Sequence, residues 1–446
     1  MNIQNQPPRT AAEEALKGFL DARLVSDPVE GPLGARITTL RRADADAFAR
    51  FGLPHRRVEE WKYTDLRALL RTAPTPAGAL SDADAAEGSF RALSIPGARR
   101  ILFVNGVLCR AHSDLHGLEA GLSVLPLASA LAGGRGAVER LGMLAPERYD
   151  GPYALNTAYL GEGLVIHVAE GAKIERPLHV AHIFTGDEPA TLFSRRLVDV
   201  ADGAKLTLVE SFQGLDGRAY VTNDAIELFV GDHTHVDYVR VQEEGDAALH
   251  LGTFLTHLGK DAKFHSFALT SGAAASRLSV YGRFAGAHTE GALRGATLAR
   301  GRQHADITLL LDHVVPHCES RELFKTVLAD EAKGVFQGKI IVHREAQKTD
   351  GRMMSQSLLL GEAAEMDNKP ELEIFADDVQ CGHGATAGAI NEDLLFYLMA
   401  RGIPAKEAEA LLIQAFVGEA IEFVEHDELR EALMTRAVTW LKKRAG

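Results

Sequence analysis

The chain has 446 residues, of which 46% are hydrophobic and 24% are charged, and its formal net charge is −13. This length exceeds the usual size of a single hydrophobic core, so it predicts several units or one elongated repeat body. The acidic balance argues against nucleic acid or an anionic membrane as the main partner, because both bind basic surfaces.

The cysteines and the N-terminus indicate the compartment. Cys109, Cys318 and Cys381 lie far apart in the sequence. Three cysteines are too few for a disulfide framework, and an odd number cannot all form pairs. The N-terminal stretch lacks the basic start and apolar run of a signal peptide, and no segment reaches about 18 uninterrupted apolar residues. We therefore expect a cytoplasmic protein without a membrane span.

Residues 1–95 are predicted to form an N-terminal helical domain with a linker. Thr10 and Glu13 have the spacing of a capping box, which marks the start of a first helix. A second helix is expected near Asp44 to Phe51, where a following glycine can end it. Residues 72–88 are rich in Ala, Pro, Gly and Ser, a composition that predicts a loose connector.

The middle of the chain, residues 96–388, is predicted to be a β-helix core, with initial strands in 101–150 and regular coils over about 154–379. Short alternating segments recur there, each joined to the next by a turn near a glycine. These glycines are spaced 27 to 32 residues apart: Gly171, Gly203, Gly231, Gly259 and Gly286. A unit this short cannot bury its apolar side alone, so stacked neighbours must share one core. The period favours a coil of parallel strands, and a β-sandwich with irregular hairpins is the alternative.

Residues 389–446 are predicted to be a C-terminal helical domain. Asn391 can cap a first helix, and Pro404 fits the first turn of the next. Asp427 to Lys443 is expected to form the last helix, with basic residues at its C-terminal end.

Nucleotide chemistry is not expected of this chain. The nearest match to a phosphate-binding loop is Gly334 to Lys339, which has three residues between its glycines and Ile340 where Ser or Thr should bind magnesium. Asp377 and Asp378 could suggest a carbohydrate-cleaving β-helix enzyme. Adjacent strand residues point to opposite faces, however, so this pair would not share a site.

Histidines supply further ligand candidates. His313 and Cys318 lie close together in sequence and form a lower-ranked candidate pair. His233 and His235 are predicted to share one strand face, since they are two residues apart. For each of these, a polar surface residue or a satisfied core residue is the alternative reading.

Cys381 and His383 differ in kind from the other candidates. One residue separates them, so an extended chain directs the thiol and the imidazole to the same side. Both are borderline-soft ligands that suit iron or zinc. Three or four ligands are usual, so a partner chain or a substrate would have to supply the remainder. The alternative is a structural cysteine beside a histidine that caps a turn.

Three segments of the chain resemble the SufB/SufD family of iron–sulfur cluster assembly proteins. They are Arg56 to Leu66, Asp150 to Val168, and the long block from Lys348 to Ile403 that contains Cys381 and His383. The SufD type fits better than the SufB type. SufB-type chains are usually longer and carry additional cysteines, whereas this chain has three and places Cys-Gly-His where SufD-type chains have Cys-x-His.

The resemblance implies a right-handed parallel β-helix, mainly β, with N-terminal and C-terminal α-helical domains. It also implies a heterodimer with a SufB-type subunit, with a homodimer as an option for the isolated chain. The C-terminal part would dock a SufC-type ATPase, which hydrolyses ATP while this chain does not. Cys381 and His383 would then lie at the heterodimer interface and share iron or a transient iron–sulfur cluster with the partner.

Phe396 and Tyr397 lie off the apolar stripe of their predicted helix. We hypothesise that they contact the ATPase subunit, and packing onto the last coil is the alternative. The leading function is therefore a non-catalytic assembly scaffold. A purely structural partner that binds no ligand is the second hypothesis, and the carbohydrate enzyme is the third.

Overall fold

The computed structural model describes residues 8–134 and 136–445, with side chains described as far as Lys442. Residues 1–7 belong to the stretch in which no signal peptide was expected, and they lie outside the described residues. None of the described helices is long and apolar enough to cross a membrane.

Six α-helices lie before or among the first strands. They are α1 Ala11–Ser26, α2 Gly34–Phe51, α3 Leu66–Leu69, α4 Asp82–Arg91, α5 Leu127–Gly133 and α6 Gly151–Ala158. Short 3-10 helices occupy Glu59–Trp61, Arg110–His112 and Gly136–Arg140. The capping box is confirmed, because the Glu13 N–H donates to Thr10 Oγ1 (3.2 Å) and the Thr10 N–H donates to Glu13 Oε2 (2.7 Å).

Two predictions for this region were wrong. Helix α2 begins at Gly34, ten residues before the predicted start near Asp44. Helix α4 lies partly within the predicted connector 72–88, where the Ser81 hydroxyl accepts the N–H of Asp84 at 3.1 Å. A serine followed three residues later by an acidic residue is a helix-start signal, and the Ala- and Gly-rich composition concealed it.

Nineteen strands make up the β structure of the described residues. They are β1 Arg99–Val104, β2 Val107–Leu108, β3 Leu122–Pro126, β4 Gly163–Val168, β5 Leu178–Phe184, β6 Ala190–Val200, β7 Lys205–Gly214, β8 Tyr220–Val230, β9 His235–Glu243, β10 Leu249–Leu258, β11 Lys263–Thr270, β12 Ala275–Phe284, β13 Glu290–Ala299, β14 His304–His313, β15 Glu319–Leu328, β16 Lys333–Val342, β17 Asp350–Leu359, β18 Glu365–Ile374 and β19 Gln380–Gly388.

From β4 onward the chain alternates between two sheets, so that each coil contributes one strand to each. The even-numbered strands pair in parallel in the order β18 to β4, and the odd-numbered strands pair in parallel in the order β19 to β5 and then β1. Only β1–β2 and β3–β4 pair antiparallel among the described strands. The parallel β-helix prediction is confirmed, and the β-sandwich alternative is wrong, since a sandwich needs antiparallel sheets. Regular coils were expected from about residue 154, but α6 occupies that position and the first coil begins at β4.

The turn glycines occupy two different positions of the repeat. Gly171 and Gly203 have φ angles of 68° and 67°, and His233 takes the same left-handed place in the next coil with φ 55°. The Gly203 N–H donates to Asp232 O and the His233 N–H donates to Lys260 O, which shows that the two positions correspond. Gly286, by contrast, is needed for close approach, because a Cβ there would stand 1.9 Å from Lys260 N of the preceding coil. The prediction treated these glycines as equivalent positions of the repeat, whereas they belong to two different positions of the turn.

The interior between the sheets is mostly apolar among the described residues, and a buried charged cluster lies in its first half. Arg196 Nη2 lies 2.6 Å from Asp224 Oδ2, and Arg196 Nε lies 2.5 Å from Glu210 Oε1. Arg240 Nη2 lies 2.8 Å from Asp224 Oδ1. His250 joins the cluster through Asp224 and Glu244, so two guanidinium groups and one imidazole face three carboxylates, and this pairing lets the charges stay buried.

Three helices follow the last strand: α7 Glu392–Ala400, α8 Ala405–Ile421 and α9 Asp427–Ala445. Asn391 caps α7, since its side chain accepts the Leu394 N–H at 3.0 Å. Helices α8 and α9 cover the outer face of the odd-numbered sheet, where Ile413 and Val417 pack against Phe267 and Val327. Helix α7 buries none of its own residues.

Candidate functional site

The last coil leaves the β-helix open at its C-terminal end. Strand β19 pairs with β17 on one side, and no described strand pairs with its other edge. Its sequence, Gln380 to Gly388, contains mostly glycine, alanine and other small residues, so another backbone can approach closely. An unpaired strand edge of this kind is a ready surface for association with a second chain.

The strand register places Cys381 and His383 on the inner face. Cys381 is paired with Gly351 and His383 with Met353 of β17. Met353 is buried in the apolar interior, and Cys381 packs against the same cluster. Because side chains alternate along a strand, His383 follows Cys381 on this face. The thiol is half-buried and the imidazole is exposed.

The surroundings of Cys381 disfavour its ionised form. Burial raises the pKa of the Cys381 thiol, and the carboxylates of Asp350 and Glu322 raise it further. The thiol therefore keeps its proton at neutral pH until a cation stabilises the thiolate. A metal ion that binds there would release that proton.

Glu322 is a component of this region that sequence reasoning missed. It lies next to Met353 in the register of β15 and β17, and so belongs to the same inner face as His383. Its side chain is buried, and neither carboxyl oxygen has a hydrogen-bond partner among the described residues. Burial raises the pKa of Glu322 to about 8, and the nearby Ser320 and Arg321 only partly offset this. Phe324, an apolar residue two positions later, was the signal that Glu322 faces inward.

A groove of about 550 Å³ runs along the strands at this end. It is lined by Arg294, Arg321, Arg352 and Met354 and by the β19 strand from Gln380 to Gly384. In the strand register Arg352 lies opposite Gly382, so the arginine side chains project to the outer face of the sheet, away from the inner face that carries Cys381 and His383. Arg321 and Arg352 both contact the carboxylate of Asp350, at 2.7 Å and 3.1 Å. Arg321 Nη2 also lies 3.5 Å from Glu319 Oε2, so two carboxylates stand against the three guanidinium groups of the groove.

His313 and Cys318 are not part of this groove. His313 is buried, its ring stacks on Phe284 with centroids 4.1 Å apart, and its Nε2 is hydrogen-bonded to Ser320 Oγ at 3.2 Å. Burial lowers the pKa of His313 to about 4. Cys318 is also buried, and its Sγ lies 3.4 Å from Gly286 O. Both side chains serve the packing of the coil, and their role as ligands stays a prediction.

The prediction that His233 and His235 share a strand face was wrong. His233 lies in the left-handed turn before β9, with its Nδ1 3.5 Å from Asp261 Oδ2. His235 is the first residue of β9, and its Nε2 lies 3.4 Å from Asp237 Oδ1. A turn residue with positive φ breaks the alternation on which the prediction depended.

Phe396 and Tyr397 project from α7 and are 72% and 54% exposed. The guanidinium of Arg401 lies over the Tyr397 ring, 4.3 Å from its centre. Leu394 and Met399 are exposed as well. The alternative that the aromatic pair packs onto the last coil is therefore wrong.

Comparisons with known proteins agree with this architecture. The family model of the SufBD protein N-terminal region matches residues 29–180, and that of the SUF system FeS cluster assembly SufBD core domain matches residues 182–416. An iron–sulfur cluster assembly SufBD family protein of Synechocystis is 29% identical, covering 93% of this chain and 92% of that protein. The iron–sulfur cluster assembly protein SufD of Escherichia coli is 30% identical over 87% of this chain and 89% of its own. The iron–sulfur cluster assembly protein SufD of Bacillus subtilis is 27% identical, and the match covers 63% of this chain and 65% of that protein.

Proposed function

Because the chain belongs to the SufBD family of iron–sulfur cluster assembly proteins, we propose that it acts there as a non-catalytic scaffold subunit of SufD type. Cys381 and His383 help to hold iron or a forming cluster at the open end of the β-helix. A SufB-type subunit pairs with this end and supplies the remaining ligands. The supporting observation is an incomplete ligand pair on a terminal strand whose outer edge is unpaired.

The chemistry of the site suits a cation that arrives as cargo. A thiolate and an imidazole are two of the four ligands that a tetrahedral site needs. The proton on Cys381 leaves when the cation binds, so the free chain does not carry an exposed reactive thiolate. Glu322 can act in the same way, since its buried carboxyl group holds its proton near neutral pH and can ionise beside a cation.

The ATPase-docking part of the proposal concerns α7. Phe396 and Tyr397 are exposed aromatic side chains on a helix that buries none of its residues. Aromatic anchors of this kind dominate the energy of protein interfaces. We assign this helix to contact with a SufC-type ATPase, whose ATP hydrolysis drives a conformational change in the cytoplasmic complex.

The test is anaerobic reconstitution of the assembled complex with iron and sulfide. Wild type is compared with the Cys381→Ala/His383→Ala double variant, after each complex is shown to contain all subunits in the same ratio. We expect the double variant to bind less iron and less acid-labile sulfide. Equal binding by the two complexes would instead make this chain a purely structural partner.

A further inference from the structure

A second cluster of metal-binding side chains lies on the outer face of the odd-numbered sheet. His235 and Asp237 project from β9 and His265 projects from β11, while Glu425 comes from the connection between α8 and α9. The ligand atoms of His235, His265 and Glu425 all lie within 4.8 Å of one another. The cluster thus joins two coils of the β-helix to the C-terminal helices.

The distances suit a single ion. Asp237 Oδ1 lies 3.4 Å from His235 Nε2 and 3.3 Å from His265 Nδ1. Glu425 Oε1 lies 3.7 Å from His265 Nδ1. Metal–ligand bonds of about 2.1 Å in a tetrahedron put neighbouring ligand atoms about 3.4 Å apart. His235, His265 and Glu425 form the compact group, and Asp237, which contacts both imidazoles, would have to move its carboxylate to become the fourth ligand.

Each imidazole directs into this space a nitrogen that lies within 3.4 Å of Asp237 Oδ1 without hydrogen-bond geometry. His235 Nε2 and His265 Nδ1 are buried atoms that have no hydrogen-bond partner among the described residues. Buried polar atoms without a hydrogen bond are uncommon in folded proteins, and a bound ion is one of the standard reasons for them. A cavity of about 20 Å³ lies beside them, lined in part by Asp237, His265 and Glu425. That volume is enough for one ion or one water molecule.

The donor set selects the class of ion. Two neutral imidazoles and two carboxylates carry a charge of about −2, which a divalent cation neutralises. Imidazole ligands suit zinc, iron, nickel and copper, whereas magnesium and calcium prefer oxygen ligands alone. The site is separate from the one at β19, because β11 is four strands away in the sheet, or about 19 Å.

We propose that His235, Asp237, His265 and Glu425 bind one divalent first-row transition-metal ion, which fastens the connection between α8 and α9 to the β-helix. The Glu425 side chain is half exposed, and its Oε1 lies 3.7 Å from His265 Nδ1. An edge-to-face contact between His265 and Phe423, with ring centroids 4.7 Å apart, also holds the connection in place. The ion adds a link between the helices and coils that are far apart in sequence.

Metal binding is tested on the full chain carrying Cys381→Ala and His383→Ala, so that the β19 ligands do not contribute. After chelator treatment and dialysis, Co²⁺ alone and Zn²⁺ alone are titrated, with visible absorption and calorimetry as readouts. We expect one ion per chain, with the absorption of tetrahedral Co²⁺. Adding Glu425→Gln, a near-isosteric change at an exposed residue, should weaken binding about tenfold or more.

His112→Ala provides the matched control, because His112 is exposed and lies in the 3-10 helix Arg110–His112. It should leave Co²⁺ affinity unchanged, while His265→Ala should abolish stoichiometric binding. Failure to bind one equivalent, or equal affinities in the Glu425→Gln and control chains, would overturn the site.

Zn²⁺ should also slow amide hydrogen exchange in residues 422–429. Unchanged exchange despite binding would overturn the fastening role. These outcomes do not depend on the scaffold function.

Discussion

Cys381 lies opposite Gly351 in the register of β17 and β19, and a Cβ at residue 351 would stand 3.7 Å from its sulfur and 3.4 Å from Ser320 Oγ. The missing side chain leaves open space on the inner side of the thiol. A methyl group fits there at ordinary van der Waals distances. Gly351→Ala should therefore preserve the fold and stabilise it by about 0.5–1 kcal/mol, because glycine costs that much in a strand interior.

The same substitution should shield the thiol and slow its alkylation by iodoacetamide, measured by peptide mass spectrometry. Gly382→Ala is the matched control, since a Cβ there meets nothing within 4 Å and projects to the opposite face. Equal alkylation rates at Cys381 in the two variants would show that the space over Gly351 is not the route to the sulfur.

Because the pKa of Glu322 is raised in the folded chain, we predict that the free energy of unfolding depends on pH. Burial raises its pKa in the folded chain to about 8, from an ordinary value of 4.5. Below pH 4.5 both states are protonated and the group has no effect. Between pH 4.5 and 8 the unfolded chain ionises while the folded chain retains the proton, so stability falls by up to about 1.4 kcal/mol per pH unit.

Glu322→Gln removes this loss, because the amide does not titrate. The variant should gain stability relative to wild type between about pH 5 and pH 8, by a few kcal/mol in total. Urea unfolding of both chains at about pH 5 and about pH 8 measures the difference in their free energies of unfolding. A constant difference between the two chains across this range would contradict the raised pKa.

The aromatic pair on α7 should matter for association and not for folding. Phe396→Ala/Tyr397→Ala removes side chains that are mostly exposed, so the thermal midpoint of the isolated chain should change little. Retention of the ATPase subunit during co-purification should fall, with a loss of at least about 2 kcal/mol if the pair is an interface anchor. Phe90→Ala is the matched control, because Phe90 is 89% exposed on α4. Unchanged retention in the α7 variant would remove this helix from the docking surface.

Local and periodic features of the fold could be predicted from the sequence. The recurring units indicated a parallel β-helix, and caps such as Thr10 and Asn391 marked helix starts. The prediction that Cys381 and His383 share one face required only the alternation of side chains along a strand. What failed was the place of each turn residue in the repeat, because a left-handed position can hold His233 as well as glycine.

Contacts between coils could not be predicted in the same way. Glu322 reaches the neighbourhood of His383 only because the register aligns β15, β17 and β19. His235 and His265 meet through the pairing of β9 with β11, and Glu425 joins them from a distant part of the chain. These relationships depend on coil length and helix docking, which no local pattern in the sequence encodes.

The most direct measurement of the central claim is the iron and acid-labile sulfide content of the assembled, anaerobically reconstituted complex that carries His383→Ala. The His112→Ala complex is the control, since that exposed histidine lies outside the site. We predict that the His383→Ala complex assembles with unchanged subunit ratios and holds less iron and sulfide than both wild type and the control. Equal iron and sulfide contents in all three complexes would contradict a ligand role for this end of the β-helix.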